Sequence, residues 1–229
     1  MSSAIRATEW RVATVGRIRP ETPRAATLTL EVEDWPGHRA GQHVDVRLTA
    51  EDGYQAQRRY SIASRPEDGP FDITVVEVDK GEVSPWMVNV AREEDVFEVR
   101  GPFGGWFVWD GPTEAPMWFI GGGSGMVPLM SMLRAGAQAH VLVSARDPDD
   151  VLYAEELGKL DDVTFTYTRW WPRGWQGYNR RVDRRMLREL DVPGARVYVC
   201  GPTPFVESVA NDLVSLGHDP AQVRTERFG

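Results

Sequence analysis

Up to about Arg100, apolar residues come in short runs rich in β-branched side chains: Val12–Ile18, Ala26–Val32, His43–Leu48, Arg59–Ala63, Phe71–Val78 and Val96–Arg100. Turn-forming segments divide them, among these Asp34-Trp-Pro-Gly37, Glu51-Asp-Gly53 and Glu67-Asp-Gly-Pro70. Short strands at such regular spacing predict an antiparallel barrel or sandwich, interrupted by one short helix over Ser84–Val90. Asp110-Gly-Pro-Thr-Glu-Ala-Pro116, with two prolines and a glycine in seven residues, predicts a linker. Beyond it the rhythm changes. Met117–Ile120 is a fully apolar run, followed by glycines and a helical pattern from Pro128. His140–Ala145, Val163–Thr168 and Arg196–Cys200 repeat the strand signal, and 153–160, 183–190 and 203–216 read as helices. Strands alternating with helices predict a doubly wound parallel sheet. The expected organisation is a β-barrel over 1–110 and an α/β domain over 111–229.

Composition narrows the function. A formal charge of −8 argues against a nucleic-acid binder, which needs clustered cations for phosphates. The balance is uneven, however: seven arginines (169, 173, 180, 181, 184, 185 and 188) fall in one short stretch around Asp183. They read either as a solvated face or as an anion site or dock for an acidic partner. The single cysteine, Cys200, excludes an internal disulfide and a four-cysteine iron–sulfur cluster built from this chain alone. The four histidines show no metal-ligand spacing. The first residues lack the apolar core of a secretion signal, and no apolar run reaches the ~18 residues of a membrane span. A cytoplasmic protein is the expectation.

Gly121-Gly-Gly-Ser-Gly-Met-Val-Pro128 follows an apolar strand and opens a helix. In that setting backbone N–H groups can approach a pyrophosphate, and the helix terminus favours its charge. A plain tight turn would use the same glycines, since Met126 stands where a dinucleotide fingerprint has its last glycine. The next strand ends Val143-Ser144-Ala145-Arg146. NAD enzymes place an acid there for the ribose 2′-hydroxyl, whereas Ser144 and Arg146 suit a 2′-phosphate. Arg169, at the end of the following strand, is positioned to join them. NADPH is therefore expected over NADH, which stays possible.

Arg58-Arg-Tyr-Ser61 and Gly81-Glu-Val-Ser84 lie in the first half; Gly121–Pro128, Cys200-Gly-Pro202 and Thr225-Glu-Arg-Phe228 follow in the second. This order resembles the ferredoxin–NADP(H) reductase superfamily, with its R-x-Y-S, G-x-x-S, G-x-G-x-G-x-x-P and C-G-P motifs and a C-terminal aromatic. The resemblance implies one bound FAD and assigns roles. Arg58 would hold its pyrophosphate, Tyr60 would stack on the isoalloxazine, and the Ser61 hydroxyl would lie near its N5. Val76, Val78 and the turn Gly81, Glu82, Val83 and Ser84 would complete the flavin site. Gly121, Gly122, Gly123, Gly125, Ser144, Arg146, Arg169, Gly201 and Pro202 would serve the nicotinamide nucleotide, and Ser124 would approach the flavin. Cys200 would sit beside the nicotinamide, although a buried structural thiol is the alternative. Phe228 would cover the flavin, with Glu226 as the acid before it.

Phe228 replaces the tyrosine common in plant-type members, so it can stack but offers no hydroxyl. The expected activity is transfer of hydride from NAD(P)H to FAD and of electrons onward to a separate carrier, such as ferredoxin, flavodoxin or an oxygenase component. Two alternatives remain: reduction of free flavin or a ferric chelate, and a nonenzymatic FAD module. Most tryptophans, Trp106 and Trp109 among them, are expected to pack. Trp170, Trp171 and Trp175 are the exception, framing with Arg173, Arg180 and Arg181 a nucleotide or partner site.

Overall fold

The computed structural model describes residues 8–228. Its first part forms a six-stranded antiparallel sheet in the order β4-β3-β6-β1-β2-β5, from β1 (Arg11–Thr22), β2 (Ala25–Val32), β3 (His43–Thr49), β4 (Gln55–Ser61), β5 (Phe71–Val76) and β6 (Val96–Phe103). An Ile62–Ile73 bridge and the Ala63 N–H to Asp72 carbonyl bond (2.7 Å) bring the end strands together, closing the barrel. Closure leaves fewer open edges and encloses a core of Val15, Leu28, Val46, Phe71, Ile73 and Val99. Where a hydroxyl points inward it finds a partner: Thr27 and Thr74, both buried, bond to each other at 2.7 Å.

One strand lies elsewhere than the hydrophobic pattern implied. β4 spans Gln55–Ser61, not Arg59–Ala63, and pairs with β3 from Thr49↔Gln55 to His43↔Ser61. Gln55, Gln57 and Arg58 face solvent while Ala56 between them is buried in the core, and Ile62 and Ala63 have already turned away to reach Gln42 and Asp72. The short helix, α1, runs Ser84–Asn89.

The second part is a five-stranded parallel sheet in the order β11-β10-β7-β8-β9, from β7 (Met117–Gly122), β8 (His140–Ala145), β9 (Val163–Tyr167), β10 (Arg196–Pro202) and β11 (Val223–Phe228). Helices α2 (Met126–Arg134), α3 (Ala154–Leu157), α4 (Arg184–Glu189) and α5 (Thr203–Ser215) connect successive strands. The strand order reverses between β7 and β10, which makes the sheet doubly wound. Every residue of β7 is buried, as a central parallel strand covered on both faces must be. Trp118, Ile120, Met186, Val197, Val199 and Leu213 lie in the core there.

Two details depart from expectation. The helix predicted over 153–160 is a single turn, α3, started from Tyr153 in a left-handed conformation. The C-terminal segment that carries Phe228, not among the expected strands, is the edge strand β11. It carries Arg224, Glu226 and Arg227 with only Val223 buried, the polar look of a protected edge. The chain divides into two compact units at Asp110/Gly111, with Met130–Ala135 clustering with the first. Within that first unit the Ser131 hydroxyl donates to the Ser64 carbonyl (2.6 Å) and Arg134 to that of Ala63 (2.8 Å).

Candidate active site

In the barrel, β4 presents Arg58, Tyr60 and Ser61 in one short stretch. Tyr60 packs part-buried against the core, and burial pushes its phenol well up, so it stays protonated. Ser61 lies opposite His43, itself buried and neutral at ordinary pH. Beyond β5 the chain makes a tight turn. The Gly81 N–H donates to the Val78 carbonyl (2.9 Å), and the Val78 N–H donates to the Ser84 hydroxyl (3.0 Å). A Cβ on Gly81 would lie 3.0 Å from that carbonyl and 3.1 Å from that hydroxyl, so a side chain there would press on the turn.

The turn delivers the chain into α1, whose cap, Val83, offers no side-chain acceptor and whose first turn holds no acid. A helix start left this way suits an external anion. Glu82 lies 3.4 Å from Arg58 and accepts the Tyr54 hydroxyl at 2.9 Å. An arginine reaching the glycine turn, an uncapped helix start and an aromatic on the adjacent strand fit the pyrophosphate and ring of a flavin dinucleotide. Tyr54 was not among the expected residues. Its place two residues before Ala56, on the Arg58–Tyr60 face of a strand, is the signal that could have found it.

In the α/β unit the glycine run follows β7 as a single 3-10 turn, Gly123–Gly125, leading directly into α2. These glycines have two different reasons. A Cβ on Gly125 would stand 2.0 Å from the Cys200 carbonyl oxygen and 2.7 Å from the Gly201 nitrogen. Gly125 is therefore needed for the close approach of the loops after β7 and β10. Gly123 is exposed, with φ +55° and nothing near its would-be Cβ. Its backbone can be approached from outside. The two loops meet at the reversal point of the strand order, where open α/β sheets bind ligands.

Cys200 lies in β10 between Gly121 of β7 and Glu226 of β11. It is fully buried. Burial raises its thiol well above the ordinary value and neighbouring Glu226 raises it further, against a smaller pull from the Gly201 N–H. It is thus a neutral thiol, not a nucleophile. In the same register Pro202 lies beside Phe228, and Gly122 beside Ser144. Half-buried Ser124 sits in the turn between Gly123 and Gly125.

Arg146 and Arg169 occupy neighbouring strand ends, the Arg169 N–H donating to the Arg146 carbonyl at 2.9 Å. Their side chains differ. Arg146 is paired with Asp150 at 2.8 Å, while Arg169 is exposed. Asp147 caps the turn after β8, accepting the N–H groups of Asp149 (3.0 Å) and Asp150 (3.1 Å). The arginine-rich stretch divides likewise. Arg180 and Arg185 are held by Asp183 and Glu189, and Arg184 by the Ser215 carbonyl, whereas Arg173 and Arg181 are exposed.

Among the tryptophans two expectations are corrected. Trp175 packs, with its ring 4.7 Å from Tyr167 and its N–H on the Tyr178 carbonyl, because the loop folds back on β9. Trp106 is 59% exposed; Trp170 and Trp171 are exposed as anticipated. Among the described residues no His/Cys/Asp/Glu group could hold a metal, and no helix is long and apolar enough to cross a membrane.

Residues 17–108 match the oxidoreductase FAD-binding domain family, and residues 119–211 match the oxidoreductase NAD-binding domain family. The glycine betaine monooxygenase reductase subunit of Pseudomonas aeruginosa is 32% identical over 206 residues, covering 82% of this chain and 56% of the relative. The chain thus spans about half the length of that relative. Ferredoxin–NADP reductase B of Sorangium cellulosum is 33% identical over 234 residues, covering 92% of this chain and 94% of the relative. In fold, the FAD/NAD-binding domain of nitric oxide dioxygenase from Vibrio cholerae superposes with a TM-score of 0.85 at 22% identity, covering 96% of this chain and 98% of that one.

Proposed function

Because the chain belongs to the ferredoxin–NADP reductase-like superfamily, we propose that it oxidises NADPH and delivers the electrons, through one FAD, to a separate carrier. When bound, the flavin supplies the redox chemistry, taking electrons as a hydride and releasing them singly. The chain's own residues bind and orient. Arg58 would hold the pyrophosphate by charge-assisted hydrogen bonds, and the start of α1 would add backbone donors. Tyr60 and Ser61 would line the isoalloxazine, with Val76 and Val78 beside the turn. Gly121–Gly125 and Gly201–Pro202 would receive the nicotinamide nucleotide, and Glu226 would border Cys200. A neutral Cys200 would exclude water there without adding to the nicotinamide ring.

The observation that carries this reading is the close approach of Gly125 to Cys200 and Gly201 at the reversal point of the sheet. Relatives named as a monooxygenase reductase subunit and a ferredoxin–NADP reductase point to a ferredoxin, a flavodoxin or an oxygenase component as acceptor. NADPH is favoured by exposed Arg169, whose N–H bonds the Arg146 carbonyl, although Asp150 must release Arg146 before it can bind a phosphate.

Stopped-flow mixing of the FAD-loaded protein with NADPH or NADH tests both levels. Flavin bleaching faster with NADPH, and a roughly tenfold higher KM for NADPH but not NADH in Arg169→Ala, is the expected result. Equal rates would overturn the preference for NADPH, and no bleaching with either would overturn the reductase reading.

A further inference from the structure

The turn that would receive the FAD pyrophosphate already contains an anion of its own. Glu82 stands between Gly81 and buried Val83, on a main chain pinned by the Gly81 to Val78 bond and by the Ser84 hydroxyl. Its side chain therefore starts from a fixed point. One carboxylate oxygen meets the Arg58 guanidinium at 3.4 Å, and the other accepts the Tyr54 hydroxyl at 2.9 Å. The Arg58 guanidinium is further held at 2.6 Å by the Gln57 carbonyl. Arg58 and Glu82 are 51% and 50% exposed, so a solute reaches both.

We infer that Glu82 competes with the FAD pyrophosphate for Arg58 and so sets how tightly the protein holds its flavin. This rests on Arg58 being the pyrophosphate anchor. A dinucleotide entering the site must take the guanidinium from the carboxylate. It must then sit near a negative charge to which the Tyr54 hydroxyl donates. Both effects weaken binding of anything phosphorylated. Neither touches a flavin without phosphate. Because pair and competitor are exposed, added salt screens the carboxylate as it screens the anchor, so removing the carboxylate should matter most at low ionic strength.

The opposite role for Glu82, accepting a hydroxyl of the FAD ribose, would need the carboxylate to strengthen binding. The two roles differ in sign. The deflavinated protein is titrated with FAD and riboflavin, following quenching of flavin fluorescence at low and high salt. Glu82→Gln is expected to lower the Kd for FAD about three- to tenfold at low salt, less at high salt, and to leave riboflavin unchanged. Arg58→Ala is expected to raise the Kd for FAD by roughly tenfold or more. A Glu82→Gln Kd that is unchanged or higher, with Arg58→Ala weakened, would overturn the competition alone. A change equal for FAD and riboflavin would overturn it too, as a packing effect. An Arg58→Ala protein that binds FAD normally would overturn the anchor reading and the competition with it.

Discussion

Cys200 and His43 are neutral at ordinary pH for the same reason, burial, but their effects on stability run in opposite directions along the pH scale. The Cys200 thiol is raised in the folded chain from an ordinary value of about 9. Above that pH unfolding releases a proton that folding retains, so stability is fully present below about 9 and is lost as pH rises toward the folded value. Unfolding by urea at pH 8, 9 and 10 should show this decline, and Cys200→Ala should flatten it by up to ~1.4 kcal/mol per pH unit. His43 is lowered to about 4, first by burial and then by the charge of Arg59, against the opposing pull of Asp45. Between about 6.5 and 4 the unfolded chain binds a proton that the folded chain refuses. Stability is therefore present above pH 6.5 and lost as pH falls, and His43→Gln should flatten that limb by about 1 kcal/mol per pH unit in thermal or urea unfolding. Arg58, Tyr60, Ser61 and Cys200 could be picked out of the sequence because each sits in a short ordered motif. What those side chains touch could not. The Glu82–Arg58 contact spans a strand and a distant turn, whereas Arg146–Asp150, Arg180–Asp183 and Arg185–Glu189, three or four residues apart, left a spacing to notice.

At the level of elements, the glycine run separates two requirements that one pattern of letters conceals. Gly125→Ala places a Cβ against the Cys200–Gly201 backbone, which has no flexible end to move aside. The cost expected is about 2–3 kcal/mol, read as a lowered Tm together with weaker nucleotide binding. Gly123→Ala meets open space and costs only its left-handed φ, about 1 kcal/mol, so weaker nucleotide binding there would come from the backbone's approach to phosphate and not from loss of packing. Equal Tm losses in the two variants would refute this division. The buried strands β7, β8 and β10 were legible because parallel strands covered on both faces are uninterruptedly apolar. β4 and β11 were shifted or missed because their outer faces are polar and their ends are set by pairing. The registers Thr49↔Gln55 and Cys200↔Glu226 exist only between strands, and no window of sequence contains them.

Across the whole molecule the net charge is −8 although seven arginines fall in one stretch, and it is to that stretch that the proposed acidic carrier would be drawn. The stretch is smaller than its seven arginines suggest, since Asp183 and Glu189 neutralise Arg180 and Arg185 at close range. Of the rest, Arg184 bonds the Ser215 carbonyl and Arg188 lies exposed on α4, while Arg169, Arg173 and Arg181 are exposed in the loop that carries Trp170 and Trp171, 57% and 39% exposed. Binding hot spots are enriched in tryptophan and arginine, and that composition is the reason to test this loop as the proposed carrier's dock against the alternative of a solvated face. Arg180 is consequently the wrong residue to test, whatever its sequence position suggests. The informative variant is Arg173→Ala/Arg181→Ala, assayed by carrier reduction at rising ionic strength with nucleotide in excess. The KM for an acidic carrier such as ferredoxin should rise several-fold at low salt, approach the parent value at high salt, and leave the KM for NADPH nearly unchanged. An increase confined to NADPH would instead assign these arginines to the nucleotide, and parent kinetics for both would return them to the solvent.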